Sequence, residues 1–155
     1  MTSSGFTSIA TVRRLAVVAF LLGVAVALAY RPLRQTVRGD FAIYDYIAQS
    51  ILRGQMPYRD VIDPKAPASM YLSAMAMAIG KPIGMSNVAA VRLLHVLMVG
   101  FLSAITFLVA EAVFQNRIAA FTALLVPLVN SNLVLMLIKG TQPKLSMLVF
   151  GMLAL

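Results

Sequence analysis

The chain contains no cysteine and few acidic residues. The lack of thiols excludes disulfide bonds, zinc–thiolate sites and cysteine nucleophiles, and leaves the redox compartment open. Only 5 residues are acidic, against 13 lysines and arginines, so the formal net charge is +8. The sequence also lacks linkers rich in glycine or serine, internal repeats and low-complexity tracts. This indicates one module rather than several domains.

Apolar residues dominate what is present. They make up 61% of the chain, while charged residues make up 12%. Soluble domains average roughly 45–50% apolar and about 25% charged residues, so the composition indicates an integral membrane protein. Lysines and arginines occur singly in loops and near helix ends rather than on one face. This distribution predicts anionic lipid as a partner and argues against nucleic acid.

Five apolar segments predict an all-helical bundle with several membrane spans. They cover residues 15–30, 67–80, 88–114, 118–138 and a stretch from 145 onward. The third and fourth are long enough to cross about 30 Å of hydrocarbon unaided, whereas the first two are slightly short. A signal peptide is the alternative for the first segment, but the later segments favour a retained anchor. Because the last stretch is too short to cross, residues 1–155 are predicted to be the N-terminal part of a larger module.

The polar loop over residues 31–66 holds four of the acidic residues, Asp40, Asp45, Asp60 and Asp63. Charges beside a bilayer are costly and are retained mainly where they bind or react with something. The loop is therefore the predicted functional site.

A short amphipathic helix is predicted inside this loop. Between Phe41 and Leu52, apolar residues recur at three- and four-residue steps, which places them on one face of a helix. Asp40 is predicted as its N-cap and Gly54 as the glycine after its end. Such a helix would lie on the membrane surface with its apolar face down. Its polar face is predicted to carry Asp45, Gln49 and Arg53.

The order of short motifs in and after the loop is distinctive. The motifs are Gly39-Asp40, Tyr44-x-x-x-Ala48, Ile51-Leu52-Arg53-Gly54, Pro57-Tyr58-Arg59-Asp60, Asp63-x-Lys65-x-Pro67, Tyr71-Leu72 and Ala90-Val91-Arg92-Leu93. In this order and spacing the chain resembles the polyprenyl-phosphate-dependent glycosyltransferases of the GT-C fold. That family includes protein O-mannosyltransferases, aminoarabinose transferases and rhizobial lipopolysaccharide sugar transferases.

The resemblance implies a GT-C transmembrane bundle in the cytoplasmic (inner) membrane. Such an enzyme moves a sugar from a polyprenyl-phosphate-linked donor to a lipid, polysaccharide or protein acceptor of the cell envelope, at the outer membrane face. The resemblance further implies Asp40 as the catalytic carboxylate and Lys65 as a contact to the phosphate. Many relatives carry Glu where this chain has Phe41, which leaves a divalent cation open. Substrate-binding roles are implied for Tyr58, Arg59, Asp60 and Asp63.

The chemistry of glycosyl transfer suits these residue types. An acceptor hydroxyl that attacks an anomeric carbon needs a carboxylate to remove or orient its proton, and the departing phosphate needs positive charge. Lys65 precedes a predicted helix whose first N–H groups also favour an anion. Simpler interpretations are open: Asp40 as a helix cap, Lys65 as an interfacial anchor, Arg59 paired with a neighbouring carboxylate, and Asp60 and Asp63 as turn residues.

Three polar residues interrupt the third apolar segment. Arg92 is predicted to reach the membrane interface, and His95 to make a polar contact inside the bundle. Glu111 lies about 24 Å from His95 at 1.5 Å per residue, and is expected near the membrane face of the first loop. In the fourth segment, Pro127 and the polar residues 130–132 predict a kink.

Topology is predicted with the N-terminus in the cytoplasm and the 31–66 loop outside. In this arrangement Lys81, Lys139 and Lys144 lie on the inside. The raw count of lysines and arginines favours the reverse orientation, but a loop that binds anionic lipid has its own reason to be basic. A non-enzymatic transporter or lipid-head-group-binding accessory protein is the alternative function, with Asp40, Arg59 and Lys65 holding a head group.

Overall fold

The computed structural model describes residues 9–36, 39–62, 65 and 67–154. Over these residues the fold consists of α-helices, two short 3-10 turns and connecting loops, which confirms the predicted all-helical class. The helices are α1 (Ile9–Ala29), α2 (Asp40–Leu52), α3 (Ala68–Gly80), α4 (Asn87–Phe114), α5 (Arg117–Val129), α6 (Ser131–Ile138) and α7 (Pro143–Leu153).

Two helical stretches have the length and composition to cross a membrane. They are Ile9–Arg34, which is α1 with the adjoining 3-10 turn, and Asn87–Phe114, which is α4. The pair α5 and α6 qualifies as a third span if the two bent helices are taken together. Among the described residues, the chain therefore has two or three helices that are long and apolar enough to span a bilayer.

The predicted helix over 118–138 is broken. α5 and α6 are bent by 70° at Asn130, three residues after Pro127, so the predicted kink is confirmed. Proline removes one helical hydrogen bond donor and crowds the preceding turn. The Asn130 side chain then starts the new helix, because its Oδ1 accepts a hydrogen bond from the Leu133 N–H at 3.1 Å.

α3 coincides with the predicted second membrane segment but is only 13 residues long. At 1.5 Å per residue it measures about 20 Å, against about 30 Å of hydrocarbon. Its last residue, Gly80, packs on Ala90 in the first turn of α4. Near its other end, Leu72 lines an apolar cavity with Met98 and Phe101, in the middle of α4. α3 therefore reaches only part of the way along α4.

α1 packs against α4 through small residues. Ala19, Gly23 and Ala27 form a buried stripe on α1. A Cβ added at Gly23 would lie 3.0 Å from the Val99 carbonyl oxygen and would collide with the side chain of Ser103. Close backbone approach through small residues is the usual way in which helices associate in membranes.

α4 also fixes the position of the C-terminal helices. The end of α6 lies beside the start of α4, because Arg92 bonds to the Lys139 carbonyl. α7 then runs parallel to α4: its start lies beside His95 and its end contacts Thr106. The loop from Lys139 to Gln142 consequently sits against the N-terminal part of α4.

α2 lies at this same end of α4. Ala48 packs in one cluster with Ala74 and Met77 of α3 and with Val91 of α4. Glu111 is 20 residues beyond Val91 on α4, about 30 Å away at the helical rise. The expectation that Glu111 lies near the first loop is therefore wrong, because α2 packs against the opposite end of the helix.

Candidate functional site

The N-terminus of α2 carries the predicted catalytic carboxylate. Asp40 is the first residue of the helix, and Gly39, with φ 63°, occupies the N-cap position. The prediction that Asp40 is the N-cap is therefore wrong by one residue, which is explained by the positive φ that glycine adopts without strain. The other end is as predicted, since Gly54 follows the helix with φ 85°.

A cleft of about 410 Å³ opens beside this N-terminus. The cleft brings together Asp40 and Lys65, the two residues that sequence reasoning placed at the centre of the chemistry. It adds Gln142 and Lys144, the second residue of α7. The remaining wall is formed by Gly39, Phe41, Tyr44, Met136, Pro143 and Met147.

Among the described residues that line the cleft, the charged ones are Asp40, Lys65 and Lys144. Asp40 stands in the first turn of α2, where the helix dipole stabilises an anion. Lys144 stands in the first turn of α7, where the first backbone N–H groups have no partner inside the helix. A net positive cleft next to a helix N-terminus is suited to an anionic ligand. Carboxylate, cations and apolar wall together suit a ligand with a phosphate group, a hydroxyl and a hydrophobic part.

The cleft joins two residues that the predicted topology separates. That prediction placed Lys139 and Lys144 on the opposite side of the membrane from Lys65, yet Lys65 and Lys144 line one cleft. α3, at the predicted second crossing, has 13 residues and is shorter than a helix that crosses the hydrocarbon unaided.

Arg59 and Asp60 lie outside the cleft lining and pair with each other. The Arg59 Nη2 donates to Asp60 Oδ2 at 2.9 Å and its Nε to Oδ1 at 3.0 Å. Asp60 Oδ2 also accepts from the Met56 N–H at 2.8 Å, which closes a turn. The hydrogen bond from Arg59 is the main reason that the pKa of Asp60 lies below its ordinary value. The structure thus agrees with the simpler interpretation of these two residues.

Tyr58 connects this turn to the cleft. Its hydroxyl donates to the Lys65 carbonyl oxygen, so Tyr58 orients the chain at Lys65 from outside the cleft lining. Asp63, the remaining predicted substrate contact, lies outside the described residues.

Asp45 is not on an exposed polar face, contrary to prediction. It is 4% exposed, and its Oδ1 accepts hydrogen bonds from both the backbone N–H and the hydroxyl of Thr141. Ser73 lies 2.7 Å from the same Thr141 oxygen. Since a hydroxyl has one proton, Thr141 donates to Asp45 and accepts from Ser73. Burial raises the pKa of Asp45, although the Thr141 hydrogen bonds and the charge of Arg92 act in the other direction.

Arg92 and His95 hold the same loop from the other side. Arg92 is 3% exposed and its Nε donates to the Lys139 carbonyl at 3.1 Å, so the predicted interfacial position is wrong. His95 lies 2.8 Å from the Val91 carbonyl through Nδ1 and 2.9 Å from the Gln142 N–H through Nε2. A backbone N–H only donates, so Nε2 is the acceptor and the proton sits on Nδ1. The predicted polar contact of His95 inside the bundle is confirmed.

The Lys139–Gln142 loop is the part of the site that sequence reasoning missed. Its sequence signal is Gly140-Thr141-Gln142-Pro143 between two apolar helices, which is typical of a turn and says nothing of function. The residues that bind it, Asp45 and His95 among them, are separated from it by 96 and 47 residues.

The described residues do not form a donor set for a divalent cation. No group of three or more histidine, aspartate or glutamate side chains comes together among them. Of the described residues that line the cleft, Asp40 is the one carboxylate, and it stands with two lysines, whereas Ca²⁺ and Mg²⁺ take several oxygen ligands. Asp63 lies outside the described residues, so the divalent cation that the resemblance left open stays a prediction.

The chain was compared with known proteins at three levels. No protein-family model, no curated protein and no solved structure matches it.

Proposed function

We propose that this protein is a membrane glycosyltransferase that transfers a sugar from a polyprenyl-phosphate-linked donor to a cell-envelope acceptor. The supporting observation is that Asp40, Lys65 and Lys144, from three separate parts of the chain, line one cleft. The order of motifs from Gly39 to Leu72 provides independent support through its resemblance to the GT-C glycosyltransferases. The proposed location is the outer face of the cytoplasmic membrane.

In this proposal Asp40 acts on the acceptor. The acceptor hydroxyl oxygen forms a bond to the anomeric carbon, and its proton passes to the Asp40 carboxylate. Asp40 is exposed at the start of α2, where it is stabilised as the anion. Asp40 therefore orients the acceptor hydroxyl. It receives the proton of that hydroxyl, which becomes more acidic as the oxygen bonds to the anomeric carbon.

Lys65 and Lys144 act on the donor. As the bond between the anomeric carbon and the phosphate oxygen breaks, negative charge accumulates on the phosphate. Two ammonium groups beside the α7 N-terminus stabilise that charge more in the transition state than in the bound donor, which is the requirement for catalysis. The apolar wall of the cleft, which includes Met136 and Met147, suits the first isoprene units of the lipid.

Membrane vesicles that contain the intact protein provide the test, with a polyprenyl-phosphate sugar labelled in the sugar. The expected result is transfer of label to an envelope acceptor, lost in Asp40→Asn. A transporter or head-group-binding protein would instead leave the glycosidic bond intact while the label moves across the vesicle or stays bound. That result, in vesicles where correctly inserted protein is demonstrated, would overturn the proposal.

A further inference from the structure

Buried side chains from two helices converge on the loop that leads into α7. Asp45 of α2 binds the N–H and hydroxyl of Thr141. From α4, Arg92 binds the carbonyl of Lys139 and His95 binds the N–H of Gln142. Three of the four contacts therefore go to main-chain groups that an irregular loop cannot satisfy by itself. Such groups need partners when they are buried away from water.

The contact between α2 and this loop is tight at Gly140. A Cβ added at Gly140 would lie 3.1 Å from the Cβ of Phe41 and 3.2 Å from Asp45 Oδ2. The backbone of the loop thus lies directly against one face of α2. Because α2 and the loop touch here, the distance between them is set by Gly140 and by the hydrogen bonds of Asp45.

The two elements joined in this way both contribute to the lining of the cleft. α2 contributes Asp40, five residues before Asp45, and the loop continues directly into Gln142, Pro143 and Lys144. Asp45 itself is not part of the cleft lining. Its carboxylate binds Thr141, three residues before Lys144 in the chain.

We propose that Asp45 is a positioning residue: by binding Thr141 it holds the Lys139–Gln142 loop against α2 and so fixes Lys144 in the cleft that contains Asp40. The claim that this position of Lys144 supports catalysis rests on the proposed function. The mechanical part of the proposal, that Asp45 fixes where Lys144 lies relative to α2, does not. The two parts can therefore be tested separately.

The mechanical part is tested by thiol labelling in membranes. The parent chain has no cysteine, so Lys144→Cys introduces a single reactive site. Adding Asp45→Ala releases the loop, and the labelling rate with a water-soluble maleimide is expected to rise at least about fivefold through local opening. Adding Asp45→Asn keeps an acceptor oxygen for Thr141 and is expected to leave the rate within about twofold.

Two substitutions of Thr141, the residue that Asp45 binds, test the same contact in case the Asp45→Ala variant does not fold. Thr141→Val removes the hydroxyl at nearly constant shape, whereas Thr141→Ser keeps it. In the Lys144→Cys background, Thr141→Val is expected to speed the labelling of position 144, and Thr141→Ser is not. Gln55→Cys, an exposed site after α2, serves as the reference thiol and is expected to label equally in every background. Equal rates at position 144 in the parent, Asp45→Ala and Thr141→Val backgrounds would overturn the proposal.

The catalytic part is read from transfer kinetics. Asp45→Ala is expected to lower kcat about 10²-fold, as misplacement of a catalytic group does, and Asp45→Asn to restore most of it. If Asp45→Ala speeds labelling of position 144 but neither the parent nor any variant has transferase activity, the positioning role is retained and the proposed function is rejected. A loss of activity in Asp45→Asn equal to that in Asp45→Ala would reject positioning and indicate a direct need for the charge.

Discussion

Asp45 accepts two hydrogen bonds from Thr141, a residue that follows it by 96 positions in the chain. This contact joins the first polar loop to the loop between α6 and α7. The first loop contributes Asp40 and Lys65 to one cleft, and the start of α7, directly after the second loop, contributes Lys144.

Asp40→Asn is expected to lower turnover by about 10²–10⁴-fold, the usual contribution of a general base, while insertion and donor binding persist. The change is isosteric and removes only charge and basicity. Glu111→Gln is the matched control, because Glu111 lies about 24 Å along α4 from His95. Initial rates of label transfer provide the measurement. More than about a tenth of parental turnover in Asp40→Asn would contradict a base role.

Lys144→Ala is expected to lower kcat/KM for the lipid-phosphate donor by about 10–100-fold, the range for losing a hydrogen bond to a charged group. Most of the loss is expected in kcat, because the lysine acts on the charge that develops on the departing phosphate. Lys65→Ala is expected to act similarly, and arginine at either position to act less, because positive charge is the main requirement. Lys81→Ala, exposed in the turn before α4, provides the control. If the donor saturation curves of Lys144→Ala and Lys65→Ala coincide with that of the Lys81→Ala control, the two lysines are interfacial anchors and do not bind the donor.

Gly23→Ala is expected to destabilise the protein by about 1–3 kcal/mol, the usual cost of overpacking. An added methyl group would press on the Val99 carbonyl and on Ser103. Gly151→Ala is the matched control, since nothing lies within 4 Å of its added Cβ. Alanine in a helix is favoured over glycine by roughly 0.5–1 kcal/mol, so this variant should be slightly more stable. Thermal unfolding in detergent compares the two, and equal midpoints would contradict tight packing between α1 and α4.

Topology can be measured with single cysteines. Gln55→Cys, after α2, and Ile83→Cys, in the turn before α4, are expected to react with a membrane-impermeant thiol reagent in intact cells. Phe114→Cys, at the end of α4, should react only after permeabilisation. The reason is that α3 has 13 residues and is too short to separate positions 55 and 83 by a bilayer.

Two other labelling patterns would be informative. Opposite behaviour of positions 55 and 83 would show that α3 crosses after all. Exclusive labelling of position 114 in intact cells would place the cleft in the cytoplasm and remove the outward-facing transferase from consideration.

The stability of the protein is expected to decrease as the pH rises through the pKa of Asp45. Burial raises that pKa above its ordinary value of 3.8, so the folded state binds the proton more tightly than the unfolded state. The stabilisation from this group is full below the unfolded pKa and is lost as the pH passes the folded pKa. Asp45→Asn should remove this part of the pH dependence. Unfolding midpoints in detergent between pH 4 and about 7 test it, and identical slopes in parent and variant would contradict it.

Several features of the fold could be predicted from the sequence because their causes are local. Apolar periodicity and length identified α4, and Gly54 marked the end of α2 through the φ value that glycine permits. Pro127 and Asn130 marked the kink between α5 and α6, since a missing donor and a capping side chain act within one turn. Among the site residues, Asp40 and Lys65 were identified from the loop sequence and share one cleft.

Tertiary structure alone decided which residues face each other. The spacing of Asp45 on α2 allows either a solvated face or a buried one, and Thr141 decides between them. Lys144 has no local sequence signature that separates it from an interfacial lysine. It lines the cleft only because α7 begins beside His95, in the N-terminal part of α4. Helical periodicity is set by hydrogen bonds within a few residues, whereas these pairings depend on how the helices pack, which no short stretch of sequence contains.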